Sequence, residues 1–245
     1  MIQKEYDNMN QKIGILDSGI GGTTILKEIK KLLPTEDYIY YADGKNNPYG
    51  EKTPEEIYKI VEEIVKFLIQ ERNCKLIVIA CNTATTRCMK KLKEHYPEIH
   101  FVGTVPAIKV ACDNNYKHTL VLATPSTIDS ERTKELIRDN KKDNQEIMLI
   151  SCEGLANAIE THNQEKINSI LQQVKEKIGK TPIDSIVLGC THYPLIKEQI
   201  NTFFPDVPLL DGSLGVAKEV RRQLEKHNLL NKKGNGNVEY IDSKE

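Results

Sequence analysis

The sequence predicts an α/β fold of two pseudo-symmetric lobes, each a mostly parallel sheet flanked by helices, with a site in the cleft between them. Three observations predict it. Short β-branched and apolar runs close on turn residues and give way to helical periodicity, the order expected of βα units feeding a parallel sheet. The run LIVIACNT at 76–83 is echoed by SIVLGCTH at 185–192, each an apolar strand, a small residue, a cysteine and then polar residues that open a helix. GILDSG at 14–19 is echoed by LVLATP at 120–125, and Asp17 and Cys81 lie 64 positions apart where Thr124 and Cys190 lie 66 apart.

Strands are expected at 12–16, 38–42, 76–80 and 100–102 in the first lobe, and at 119–123, 147–150, 185–188 and 208–210 in the second. Each is a short β-branched or aromatic run bounded by Gly, Pro, Asn or Asp. Amphipathic spacing predicts helices at 22–33, 54–71, 83–95, 130–140, 165–178, 194–203 and 214–226. Pro54 and Pro194 fall where proline suits a first helical turn. The first lobe takes 1–104 and the second 105–213, and the helix from Leu214 is expected to return to the first lobe, which 214–245 completes. A polar tail, NKKGNGN, precedes a last strand at 238–241.

The 245 residues suffice for one large α/β domain or two small ones. Thirty-four Lys and Arg against 35 Asp and Glu give a net charge of −1, which argues against nucleic acid or an anionic membrane as partner. The longest apolar run, 76–81, is too short to cross a bilayer. The opening MIQKEYDNMNQK lacks the apolar core of a signal peptide, so a cytoplasmic protein is expected.

The six cysteines form no C-x-x-C pair and no Cys/His couple at zinc spacing, so no metal site is expected. A cysteine at a strand end is ordinarily a small buried hydrophobe. Cys74 precedes a strand, Cys88 lies in a helix, Cys112 follows a helical stretch and Cys152 starts a loop, and all four are read as structural. Cys81 and Cys190 sit in matched contexts at the carboxyl ends of parallel strands, where open α/β sheets bind ligands. A thiolate is a competent base. Two of them facing one ligand suit racemisation or epimerisation: one removes a proton from a carbon stereocentre and the other supplies one from the far side.

Four motifs in order, DSGIGG at 17–22, PYG at 48–50, ACNTA at 80–84 and GCTHYP at 189–194, resemble those of the glutamate racemases, a branch of the cofactor-independent aspartate/glutamate racemase superfamily. The resemblance runs from about residue 13 to 225. It implies that Cys81 takes the α-proton of D-glutamate and Cys190 that of L-glutamate. Asp17 would assist Cys81, and His192, with Glu160 behind it, would assist Cys190. The pairs Asp17 and Ser18, Tyr49 and Gly50, Asn82 and Thr83, and Thr191 and His192 would bind the substrate. Hydroxyls, amides and helix-start N–H groups suit its carboxylates, and Asp17 suits its ammonium. The resemblance further implies no cofactor, a homodimer, lobe closure during the cycle and supply of D-glutamate for peptidoglycan. The histidine after Cys190 favours glutamate over aspartate.

Taken alone, Asp17 and Ser18 are also compatible with helix capping, His192 with a core histidine, Tyr49 with a turn and Glu160 with an exposed helix carboxylate. The rival functions are racemisation of aspartate or a hydantoin, a non-catalytic small-ligand module and a nucleotide-binding dehydrogenase. The last rests on GIGGTT at 19–24 and on Asp43 as a ribose contact. Thr24 stands where its third glycine belongs.

Overall fold

The computed structural model describes residues 11–245. The first ten residues, and with them most of the segment read for a signal peptide, lie outside these. Along the chain run β1 (Lys12–Asp17), α1 (Thr23–Leu32), β2 (Tyr38–Ala42), α2 (Pro54–Gln70), β3 (Cys74–Ile79), α3 (Asn82–His95) and β4 (His100–Gly103). There follow α4 (Ile108–Asp113), β5 (His118–Ala123), α5 (Pro125–Ile128), α6 (Glu131–Asn140), β6 (Glu146–Ser151), α7 (Leu155–Glu160), α8 (Gln164–Ile178) and β7 (Ser185–Leu188). The chain ends with α9 (Lys197–Phe203), β8 (Leu209–Leu210), α10 (Ser213–Lys226) and β9 (Val238–Asp242), and 3-10 turns occupy Tyr49–Glu51 and Tyr193–Ile196. Two compact units result, Met1–Thr104 with Ser213–Glu245, and Val105–Gly212.

The first unit holds a parallel sheet in the order β4-β3-β1-β2-β9. Its inner strands are apolar on both faces, as a sheet covered by helices on two sides demands. Period-two alternation deals their side chains to two cores. Ile13, Ile15, Leu76, Val78 and Val102 meet Ile25 and Ile29 of α1 and Val216, Val220 and Leu224 of α10. Leu16, Ile39, Ile77 and Ile79 meet Val61, Val65 and Leu68 of α2 and Cys88 and Leu92 of α3. The α2 helix starts firmly: Pro54 is in its first turn, Thr53 Oγ1 accepts from the Glu56 amide at 3.3 Å, and Glu56 Oε2 accepts from the Thr53 amide at 2.8 Å.

The second unit repeats the plan with the order β6-β5-β7-β8, again parallel. Leu120, Leu122, Ile186 and Leu188 pack with α7, α8 and α9, while Val121 and Val187 pack with Ile108, Ala111 and Leu136 of α4 and α6.

Several short elements were not expected. The helices α4, α5 and α7 are four to six residues long, below the length at which a 3.6-residue period is legible. Cys74 belongs to β3 rather than preceding it, and Cys112 lies inside α4 rather than after a helix.

In both sheets chain order reverses between two central strands. From β1 the chain moves to β2 on one side, then crosses back to β3 on the other; β5, β6 and β7 repeat this. Open α/β sheets bind ligands at the carboxyl ends beside such a reversal. Those ends carry Asp17, Ser18 and Cys81 in one unit, and Thr124 and Cys190 in the other.

Candidate active site

In the first unit Cys81 follows β3 and is the N-cap of α3, with extended backbone angles of φ −127° and ψ 123°. Its thiol donates to Ser18 Oγ at 3.7 Å. Asn82 and Thr83, both buried, form the first helical turn. The N–H groups of a first turn have no intrahelical acceptor, so the sulfur and any carboxylate beside it meet the positive end of a 14-residue helix.

Asp17 ends β1 fully buried, and its Oδ2 accepts from the Gly22 amide at 2.6 Å. A Cβ on Gly22 would stand 2.9 Å from that of Asp17 and 3.0 Å from that of Ala80, so the loop can double back on Asp17 only with glycine there. Tyr40 Oη, donating to the Gly19 carbonyl at 2.8 Å, holds the same loop. The N-cap of α1 is Gly22, which has no side chain of its own to cap the helix, and the Asp17 carboxylate receives the Gly22 amide at that helix start.

Tyr49 is buried in the same apolar cluster as Cys81 and begins the 3-10 turn that contains Gly50. Its Oη donates to Asp43 Oδ2 at 2.6 Å. Burial and the Asp43 carboxylate push the phenol far above its usual range, so it stays protonated and a donor. Asp43, 1 % exposed, spends its oxygens on Tyr49, Asn46 and Ser243, which removes it as a ribose contact.

In the second unit Cys190 follows β7. Gly189 precedes it because a Cβ there would lie 2.9 Å from both the Ala123 Cβ and the Leu122 carbonyl oxygen. Cys190 Sγ is 3.9 Å from His192 Nδ1, and His192 Nε2 is 2.6 Å from Glu160 Oε2. His192 is buried and the Glu160 side chain is only 11 % exposed. Thiol, imidazole and carboxylate thus form a chain able to hold the imidazole in one orientation. Glu160 ends α7, so the reading of it as an exposed helix carboxylate does not hold. Thr191 is buried beside them.

The backbone registers of the two units correspond. The Ala80 amide donates to Leu16 O at 2.7 Å as Gly189 does to Leu122 O at 2.7 Å, and the Asp43 amide donates to Asp17 O at 2.8 Å as Cys152 does to Ala123 O at 2.9 Å. Cys81 therefore matches Cys190 and Asp17 matches Ala123, as the echo of GILDSG in LVLATP aligns them, whereas the interval count set Asp17 against Thr124. The acid at the end of β1 has no copy at the end of β5, and His192 and Glu160 stand beside Cys190 instead. Thr124, which matches Ser18, and Thr127 are buried hydroxyls that the sequence reading did not single out as site residues. The hydroxyl-rich turn TPST after a repeated strand was the available signal.

The other four cysteines are poor bases. Burial pushes the Cys74, Cys88 and Cys152 thiols up to about 12 and raises that of Cys112.

Residues 13–220 match the family model for Asp/Glu/Hydantoin racemase. The chain belongs to this racemase family. A glutamate racemase of Clostridium novyi (strain NT) is 40 % identical over 235 residues, covering 93 % of this chain and 90 % of that protein. One from Clostridium botulinum (strain Alaska E43 / Type E3) is 38 % identical over 242 residues, covering 97 % and 93 %. Among solved structures, the glutamate racemase of Francisella tularensis in complex with D-glutamate superposes with a TM-score of 0.82 at 32 % identity, covering 96 % of this chain and 88 % of that one. Membership removes the dehydrogenase reading and makes the protein an isomerase of the racemase type. No helix among the described residues is long and apolar enough to cross a membrane.

Proposed function

We propose that the protein interconverts L- and D-glutamate without a cofactor, with Cys81 and Cys190 on opposite faces of the substrate α-carbon. The observation that carries this reading is the pair of matched strand-end cysteines, each beside a reversal of strand order and each with its own polar partners, in a chain close to glutamate racemases over nearly its whole length. From D-glutamate, the Cys81 thiolate takes the α-proton and the electron pair passes into the α-carboxylate. The Cys190 thiol then delivers its proton to the other face, leaving Cys190 as thiolate. From L-glutamate the roles exchange, and solvent resets the two sulfurs between turnovers.

Asp17 is assigned to Cys81 and the substrate ammonium, and His192 with Glu160 to Cys190. Ser18, Tyr49, Gly50, Asn82, Thr83 and Thr191 are assigned to substrate binding. Fixed dipoles there stabilise the charge that develops on the carboxylate in the transition state. In the reactive complex each sulfur must lie within about 3.5 Å of the carbon it serves. The resemblance extends the reading to a cytoplasmic homodimer that supplies D-glutamate for peptidoglycan, and sedimentation velocity reads the dimer.

The test is circular dichroism of pure, cofactor-free protein given L-glutamate, L-aspartate or a substituted hydantoin. Decay of the signal to zero with glutamate is expected; turnover of aspartate or the hydantoin alone contradicts the assignment. Glu160→Gln is expected to lower kcat/KM by about 10²-fold. Because the two enantiomers are equal in free energy, the loss must be identical in both directions, and only kcat and KM separately can differ between them. A Glu160→Gln protein with wild-type kcat/KM would remove the carboxylate from the mechanism.

A further inference from the structure

We infer that Asp43 is a positioning residue for the turn that carries Tyr49 and Gly50, and that Ser243, from the carboxyl-terminal end of the chain, completes the set that fixes it. The inference rests on the assignment of that turn to substrate binding and adds to it two residues from outside the motifs.

The Asp43 carboxylate is buried and receives three kinds of donor. Tyr49 Oη lies 2.6 Å from Oδ2, Asn46 Nδ2 lies 3.0 Å from both oxygens, and Ser243 Oγ lies 2.8 Å from Oδ1. Hydrogen bonds to an ionised acceptor are among the strong ones, and a buried phenol with one acceptor has a single orientation. Tyr49 is thereby tied at its tip as well as by its backbone.

Ser243 is itself held in place. Its amide donates to the Ala42 carbonyl at 3.0 Å, and its Oγ accepts from the Lys45 amide at 2.9 Å. This follows from β9, which pairs in register with β2 from Tyr38↔Val238 to Ala42↔Asp242 and so delivers the next residue to the start of the 43–46 turn. The last residues then lie across that turn: a Cβ on Gly44 would stand 2.7 Å from Lys244 Cε and 2.8 Å from Asp242 Oδ1. Asp43 also meets β1 directly, its amide donating to the Asp17 carbonyl at 2.8 Å. Asp43 therefore links the Asp17 strand end through its amide with the tyrosine turn and Ser243 through its carboxylate.

The experiment uses the full chain and the variants Asp43→Asn, Tyr49→Phe, Ser243→Ala and Ser243→Thr, read by racemisation kinetics and by amide hydrogen exchange of the segment 44–52. Loss of one such hydrogen bond should raise KM for glutamate about fivefold in Ser243→Ala, and more in Asp43→Asn, with kcat changed less than KM. Ser243→Thr, which keeps the hydroxyl, should restore KM. Tyr49→Phe and Asp43→Asn should be non-additive in the double variant. Exchange in 44–52 should quicken in Ser243→Ala while the core strands stay protected.

Unchanged exchange in 44–52 in both Ser243→Ala and Asp43→Asn overturns the network. Faster exchange with wild-type KM overturns its role in positioning the substrate turn. Absence of glutamate turnover in the wild-type chain would strike the proposed function instead, because the exchange measurement reads the network without substrate.

Discussion

Replacement of Cys81 or Cys190 by alanine is expected to cut glutamate racemisation by at least about 10²–10⁴-fold, the range for loss of a positioned acid or base. Neither change should unfold the protein, since each removes one sulfur from the rim of a sheet whose cores lie beneath it. The two losses should not multiply, because a racemase with one proton carrier already lacks the second half of its reaction. Cys88→Ala serves as the control. That sulfur is fully buried in α3 among Leu92, Val61 and their neighbours, and burial holds its thiol near 12. Cys88→Ala should therefore cost some stability and leave kcat near wild type. Wild-type kcat in either Cys81→Ala or Cys190→Ala would refute the two-thiol scheme.

The second large effect concerns stability. Lys75 of β3 and Glu36 form an ion pair at 2.6 Å with side chains 1 % and 0 % exposed. Lys75 Nζ also donates to the Leu229 carbonyl at 2.6 Å, and Glu36 Oε1 accepts from the Asn231 amide at 2.7 Å. The pair thus pins the segment after α10, which connects to β9, to the middle of the first unit. Lys75→Met is expected to cost about 3–5 kcal/mol, because it leaves a buried carboxylate without its counter-charge and a carbonyl without its donor. Adding Glu36→Gln should recover part of that loss, since the uncompensated charge is then gone. Urea unfolding followed by far-ultraviolet circular dichroism measures both; a single-variant loss below about 1 kcal/mol would show that the pair is not a major support.

The parts of the molecule legible in the sequence are those with a strong local signature. The runs LIVIA and SIVL announce themselves because inner strands of a parallel sheet are buried on both faces and carry unbroken apolar sequence. Cys81 and Cys190 stand out because the same strand-end pattern occurs twice. Asn82, Thr83, Thr191 and His192 follow from those cysteines by adjacency along the chain, and Asp17 and Ser18 from the separate motif DSGIGG.

Contacts between distant segments leave little local signature. Glu160 and His192 are 32 positions apart and meet through α7, a helix too short to leave a period, so only the family resemblance paired them. Asp43 and Ser243 are 200 positions apart and meet only because β9 adds to the sheet edge beside β2. The interval count, which set Asp17 against Thr124, misled for a related reason, although the echo of GILDSG in LVLATP already set Asp17 against Ala123. Interval counting includes connections of unequal length, whereas hydrogen-bond register does not. The two strand ends are also unlike: Cys81 has the Ser18 hydroxyl as a partner, and Cys190 has an imidazole backed by a carboxylate.

The most direct test of the opposed thiols is racemisation of protiated D-glutamate in D₂O, stopped after a few per cent conversion, with deuterium located separately in substrate and product. Two bases on opposite faces predict product L-glutamate carrying deuterium at the α-carbon while the remaining D-glutamate stays protiated. Product that retains the original proton, or D-glutamate that gains deuterium as fast as product forms, would mean that one group serves both faces and would contradict the assignment of Cys81 and Cys190.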